Sequence, residues 1–259
     1  MINIIQERLF DIEQKEGVAI FYACESGSRA WGFPSANSDY DVRFLYARPV
    51  EWYLSIADMR DVIEYTVNDQ LDINGWDIKK ALQLFRKSNP PLFEWLGSPI
   101  VYKEQFNIAE KMRALAKEYY SPLACIHHYL HMAEGNYREY LKGDEVWIKK
   151  YFYVLRPLLA IQWIEQGKGV APTAFSVLVD QLLPVSPLRT AIEDLIKQKR
   201  AGAELDRGPR IPVISEFIDS EIERLIKGVM APPNAAPIEE MNHLFRSVLH
   251  TIWGNAYNI

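Results

Sequence analysis

Only two cysteines occur in 259 residues. Cys24 and Cys125 each sit in an apolar stretch, where a free thiol packs as a small hydrophobe, so buried free thiols are expected and not a disulfide framework. No apolar run reaches the roughly 18 residues that a membrane span needs. The opening segment, MINIIQERLFDIEQKEG, spreads charges through an amphipathic helix pattern and lacks the basic start and apolar run of a signal peptide. A cytoplasmic protein with no membrane partner is expected. Positive charge is not in excess either. The net charge of −5 argues against a general nucleic-acid coat, although a local basic groove is compatible with it. Internal repeats and low-complexity tracts are absent. What is present, 49% hydrophobic and 24% charged residues, suffices for one large core or two smaller ones.

Periodicity divides the chain in two. Residues 2–15 place Ile4, Ile5, Leu9 and Ile12 on one helical stripe, which Gly17 ends. Residues 18–24 form a short apolar, β-favouring run, predicted as a buried strand. Glu25-Ser26-Gly27-Ser28 breaks it, and a short helix over 28–31 follows. Residues 32–38 have loop composition, and 39–46 alternate as a second strand. Strands over 60–67 and 71–76 pair as a hairpin across a turn at Asn68-Asp69-Gln70. Asp77 fits the N-cap of a helix that buries Ile78, Ala81, Leu82 and Phe85. Asn89-Pro90-Pro91 stops that helix, a short one covers 91–96, and a strand covers 99–102. From about residue 106 the period is helical, over 108–119, 122–141, 145–166, 187–200, 216–228 and 238–253. Residues 202–212 and 231–237 are loops by their Gly and Pro content. The expectation is an α+β domain over 1–105 followed by a helical domain over 106–259.

One combination of residues carries chemistry. A strand has period 2, so Asp39 and Asp41 point to the same face. Two such carboxylates repel unless a cation lies between them, and oxygen-only ligands of this kind suit Mg²⁺ shared with substrate phosphates. Upstream, Gly27-Ser28 occupies a strand-to-helix turn. Glycine lets backbone approach a phosphate, the helix start offers free N–H groups, and the Ser28 hydroxyl adds a donor. Asp-x-Asp alone often marks a solvated strand, and Gly-Ser alone says less. In this order and spacing they place a phosphate cradle beside a metal pair, as phosphoryl transfer from an NTP requires.

The text Gly27-Ser28-Arg29-Ala30-Trp31-Gly32, then Ser38-Asp39-Tyr40-Asp41-Val42-Arg43, resembles the DNA polymerase β-like nucleotidyltransferase superfamily. Residues 72–80, 87–90 and 94–99 are similar to its bacterial and phage branch that includes the RNA-repair-associated RlaP-type proteins. The likeness is specific over 20–102 and diffuse beyond, where it rests mainly on residues 149–157. It implies a small mixed sheet with flanking helices, two Mg²⁺ ions, and transfer of a nucleoside monophosphate from ATP or another NTP with release of pyrophosphate. It also implies that the helical domain completes the active-site cleft. A third metal carboxylate is implied on a strand antiparallel to the Asp-x-Asp strand: Asp72 first, Asp77 as the alternative, Glu64 after them. On this basis Asp39, Asp41 and Asp72 are the catalytic and metal residues, Asp72 also taking the acceptor's proton. Gly27 and Ser28 would bind the β- and γ-phosphates. Arg29 and Arg43 are each either a bidentate phosphate clamp or part of a salt bridge.

Other residues are open to two roles. Lys80 is a phosphate contact or, with Lys79 and Lys87, part of a solvated helix face. Asn89 suits ending one helix with its side chain, and Glu94 either caps the next or reaches the edge of the site. Tyr153 is placed to stack on a base and Arg156 to bind phosphate, or both, with Lys149 and Lys150, are helix packing and solvated charge. His127 and His131 have i, i+4 metal spacing, but no third ligand is apparent and His128 points elsewhere. Arg200, Arg207 and Arg210 form either a patch for an RNA end or ordinary loop charge. Trp31 and Trp76 neighbour the expected site. The acceptor is left open among an RNA end, a small molecule and a protein side chain, and the oligomeric state is not legible. The rival readings are a protein-nucleotidylating (AMPylating) enzyme of toxin–antitoxin type and a catalytically inactive nucleotide-sensing module.

Overall fold

The structure is a computed structural model that describes residues 1–68, 70–203, 205–228 and 236–254. The chain begins with α1 (Ile2–Glu16), which buries Ile5, Leu9 and Ile12 and ends at Gly17 in the left-handed conformation. Ile4, expected on that stripe, is 46% exposed, because it lies about 100° around the helix from Ile5. There follow β1 (Ala19–Glu25), α2 (Gly27–Trp31), β2 (Tyr40–Ala47) and a short helix the sequence pattern missed, α3 (Val50–Tyr53). Next come β3 (Val62–Asn68), β4 (Leu71–Asp77), α4 (Ile78–Arg86), α5 (Pro90–Leu96), β5 (Val101–Glu104) and α6 (Ile108–Tyr119). Of the turn expected at 68–70, Asp69 lies outside the described residues.

Strands β1 to β5 form one mixed sheet in the order β3-β4-β2-β1-β5. The hairpin β3–β4 is antiparallel as expected, but it joins the sheet through its second strand. Since β3 reverses the chain and β4 reverses it again, β4 runs parallel to β2. This corrects the antiparallel relation that the resemblance implied for the third carboxylate's strand. One face of the sheet, with Val42, Phe44 and Tyr46 of β2 and Ile73 of β4, packs with Ile5, Leu9 and Ile12 of α1 into the core. The pairing Phe44↔Gly75 explains a glycine in a central strand: a Cβ at Gly75 would lie 2.2 Å from the Phe44 ring. The other face carries Asp41, Arg43, Asp72 and Asn74, and is closed at one end by Trp76 stacked on Trp95 of α5 at 3.8 Å.

The remaining elements are α7 (Pro122–Tyr140), β6 (Glu145–Trp147), α8 (Lys150–Glu165), α9 (Phe175–Leu182), α10 (Pro187–Arg200), β7 (Arg207–Pro209), α11 (Pro212–Gly228) and α12 (Glu239–Trp253). Residues 145–147, expected to begin a helix, instead pair antiparallel with 207–209, which were expected to be loop. Helix α9 was not expected. Of the loop expected over 231–237, residues 231–235 lie outside the described residues, as does Glu204.

Two compact units result: Met1–Gly27 with Asp39–Tyr120 and Ala235–Ile259, and Ser28–Ser38 with Ser121–Asn234. The change of sequence period near 105 is therefore not where the units close, since α6 and α12 belong to the unit that holds the sheet. Both cysteines are buried and free. Among the described residues no helix is long and apolar enough to cross a membrane.

Candidate active site

The parallel register Asp41↔Asp72 and Arg43↔Asn74 puts four polar side chains on the sheet face opposite α1. Arg43 bridges the two carboxylates, with Nη2 3.1 Å from Asp41 Oδ1 and Nη1 2.9 Å from Asp72 Oδ2. It also donates to the Val42 carbonyl at 3.0 Å. The Asn74 amide donates to both oxygens of Asp72, at 2.9 and 2.8 Å. Burial raises the pKa of Asp41, Arg43 opposes that, and the nearby charges of Asp72 and Asp39 add to it. The repulsion between Asp41 and Asp72 is thus met in part by a side chain of the protein.

Gly27 stands directly against Asp41. Its φ is +61°, and a Cβ there would lie 2.1 Å from Asp41 Oδ2. The close approach that glycine permits is therefore to the carboxylate. Glu25, at the end of β1, is buried and accepts the Asp41 backbone N–H at 2.8 Å. The Ser26 N–H donates to the Asp41 carbonyl, also at 2.8 Å.

Asp39 lies exposed just before β2, not within it. Among the described residues no group of three or more His, Cys, Asp or Glu side chains is arranged to hold a metal. Asp41 and Asp72 are the two carboxylates gathered here, and their donor chemistry fits a hard cation that also takes water and phosphate oxygens. Glu64 shares their face, opposite Asn74, but is exposed and paired with Arg60.

Asp77 belongs elsewhere. It alternates with Asp72 to the opposite face, is fully buried, and caps α4 by accepting the Lys79 N–H at 2.8 Å and the Tyr53 hydroxyl at 2.7 Å. Lys80, expected near phosphate, is on Asp77's side: it pairs with Asp61 at 3.0 Å and lines, with Tyr53 and Asp77, a cavity of about 250 Å³. Lys79 and Lys87 are exposed. Asn89, expected to end α4 with its side chain, instead caps the start of α5, and Glu94, expected to cap that helix, is buried within it. Burial pushes the Asp77 carboxyl up to about 6 from 3.8. The folded state then keeps a proton that the unfolded state loses, so stability falls as pH rises from about 4 to about 6 and is level above. Thermal melts across this range should show that fall in the wild type and not in Asp77→Asn, a difference on the order of 3 kcal/mol at neutral pH. Parallel pH profiles for the two proteins would refute it.

In the second unit Arg29 donates to the Ser38 carbonyl at 2.7 Å and closes its own loop. Arg156, expected at phosphate, is 1% exposed, with its guanidinium over the Trp31 ring at 5.1 Å and a bond to the Thr173 carbonyl. Tyr153 is 45% exposed and meets Trp31 edge-on at 5.3 Å. Lys150 lies 4.0 Å from the ring centre of Tyr140 and 4.8 Å from that of Tyr153, and Lys149 lies over Trp147. Ser28 is the second residue of α2, its carbonyl accepting from Gly32 and Phe33. Arg200 donates to the Gly32 carbonyl, Arg210 pairs with Asp219, and Arg207 is exposed on β7, so these arginines are spread over separate contacts. His127 is half-buried, and His128 and His131 are exposed.

Sequence reasoning missed Asn74 and Glu25. Asn74 was within reach, since period 2 from Asp72 puts it on the same face. Glu25 was not, because only the tertiary pairing brings its side chain to Asp41.

A mixed sheet with Asp41 and Asp72 abreast on adjacent strands, beside a glycine turn that opens a helix, is the layout of a polymerase β-like nucleotidyltransferase. The chain belongs to the RlaP family, described as the RNA repair pathway DNA polymerase beta family, which it matches over residues 1–247. It is 49% identical over 255 residues to the uncharacterized protein YcgL of Bacillus subtilis (strain 168), spanning 96% of this chain and 98% of that one. Among solved structures it is similar to a nucleotidyltransferase-like protein from Exiguobacterium sibiricum 255-15, over 86% of this chain and 76% of that one, at 9% identity and a TM-score of 0.34.

Proposed function

We propose that the protein transfers a nucleoside monophosphate from ATP or another NTP to an acceptor hydroxyl and releases pyrophosphate. The observation that supports this most is the in-register pair Asp41 and Asp72, facing one way and already sharing a cation, Arg43. Asp41 and Asp72, with Asp39 just ahead of β2, would hold Mg²⁺. The chemistry that bound magnesium supplies is neutralisation of triphosphate charge and activation of the acceptor oxygen. The acceptor oxygen bonds to the α-phosphorus as the bond to the pyrophosphate oxygen breaks, and Asp72 takes the hydroxyl proton. Arg43, released from its carboxylates, would clamp phosphate oxygens. Gly27 and Ser28 offer backbone N–H groups to the β- and γ-phosphates.

The family's description names an RNA repair pathway, so an RNA 3′ end is the first acceptor to test, before small molecules and protein side chains. The test is incubation of the full chain with each α-labelled NTP, Mg²⁺ and a mixed pool of RNA, metabolites and protein. Label transferred to one acceptor class, with pyrophosphate formed in equal amount, is expected. A second reading, a nucleotide-sensing module, is favoured by Arg43 already pairing with both Asp41 and Asp72. It predicts NTP binding with no label transferred and no pyrophosphate.

A further inference from the structure

Burying a carboxylate costs several kcal/mol unless hydrogen bonds compensate, so one that nothing in the proposed chemistry uses must serve something else. Glu25 is such a group, 1% exposed at the last position of β1. Its Oε1 accepts the Asp41 N–H at 2.8 Å, and its Oε2 accepts the Tyr102 hydroxyl. Its main chain is fixed as well: the carbonyl accepts the Ser98 hydroxyl at 2.6 Å, and the N–H donates to the Ile100 carbonyl at 2.9 Å. With the Ser26 N–H on the Asp41 carbonyl, the Glu25-Ser26 pair holds Asp41 by both its N–H and its C=O. Asp41 is thereby tied to β1 and, through Tyr102, to β5. Its side chain then leaves a backbone that cannot shift.

Resting on Asp41 being a metal carboxylate, we propose that Glu25 is a positioning residue: through its hydrogen bonds it fixes the Asp41 main chain so that the carboxylate meets the cation in one orientation, and Tyr102 holds Glu25 in turn. Partners of this kind are typically worth 10–100-fold in metal affinity.

The experiment is Mn²⁺ binding to the full chain without nucleotide, followed by electron paramagnetic resonance. The proteins are wild type, Asp41→Asn, Glu25→Gln, Glu25→Ala and Tyr102→Phe, each at a temperature where circular dichroism shows it folded. Asp41→Asn should lose binding, and Glu25→Ala should bind about 10-fold or more weakly. In Glu25→Gln the amide oxygen accepts the same N–H and the amide nitrogen donates to Tyr102, so affinity should stay within about 3-fold of wild type. Should Glu25→Ala not fold, Tyr102→Phe carries the test, with an expected loss of about 3-fold or more. Wild-type affinity in folded Glu25→Ala, or in Tyr102→Phe where the alanine variant does not fold, overturns the proposal. So does a loss in Glu25→Gln equal to that in Glu25→Ala, which would make the charge, not the hydrogen bonds, decisive. A wild type that binds no Mn²⁺, or binds it as Asp41→Asn does, instead overturns Asp41 as a metal ligand. That failure is distinct, because wild type and Asp41→Asn then agree.

Discussion

Asp41→Asn is expected to cut Mg²⁺-dependent NTP turnover by about 10³-fold or more while leaving thermal stability equal to or slightly above that of the wild type. The two halves of this result come from one environment. Burial and the neighbouring charges of Asp72 and Asp39 raise the pKa of Asp41, which means that the folded state disfavours its charge. Asparagine has the same shape, keeps an oxygen for Arg43, and removes that unfavourable charge. The backbone bonds from Ser26 and to Glu25 do not involve the side chain, so the strand stays in place. A metal, however, loses one of its two gathered carboxylates. Function lost while stability is kept is the pattern of a site held at a cost to the fold. Asp39→Ala should act in the same direction, and its exposure makes any change in stability small. Pyrophosphate release and a melting curve on the same preparation check both halves. Undiminished release in the purified Asp39→Ala/Asp41→Ala double variant would sink the proposed function.

The sheet was legible where local pattern decides. Ile78, Ala81, Leu82 and Phe85 were named as a buried stripe and are buried, because Asp77 sets the start of α4 and with it the phase of the helix. The hairpin β3–β4 was legible for a similar reason. Which of its strands joins β2 was not, since both are short and β-favouring and the choice is made by packing, here by Phe44 settling over Gly75. That choice places Asp72 beside Asp41, so the most useful fact about the site lay outside the local pattern, whereas the opposite facing of Asp77 follows from strand alternation alone. The helical half was least legible. Helix α8 is buried nearly all round, so it carries no polar stripe to give its phase, and Arg156 looks solvent-facing in sequence although it lies under Trp31. Residues 145–147 carry no strand signal of their own, and become a strand by pairing with 207–209.

Gly27→Ala should approach the effect of Asp41→Asn on turnover, at about 10²-fold, with a modest loss of stability. Alanine at φ +61° costs about 1–2 kcal/mol in the left-handed region. The larger effect is spatial, since the new methyl would stand 2.1 Å from Asp41 Oδ2 and 3.0 Å from its Cγ. One of the two must move. The Asp41 backbone is held by Glu25 and Ser26, so the carboxylate itself has to swing away from Arg43 and from the place where a cation would sit. If Gly27 served mainly to let a phosphate approach the backbone, Gly27→Ala would instead weaken NTP binding in wild type and in Asp41→Asn alike. A double-mutant cycle separates the two. Acting through Asp41, Gly27→Ala should cost about 10²-fold in the wild-type background and nearly nothing further in Asp41→Asn, a coupling far beyond the few tenths of a kcal/mol between independent sites. Additive losses would show that glycine here makes room for the substrate and not for the carboxylate.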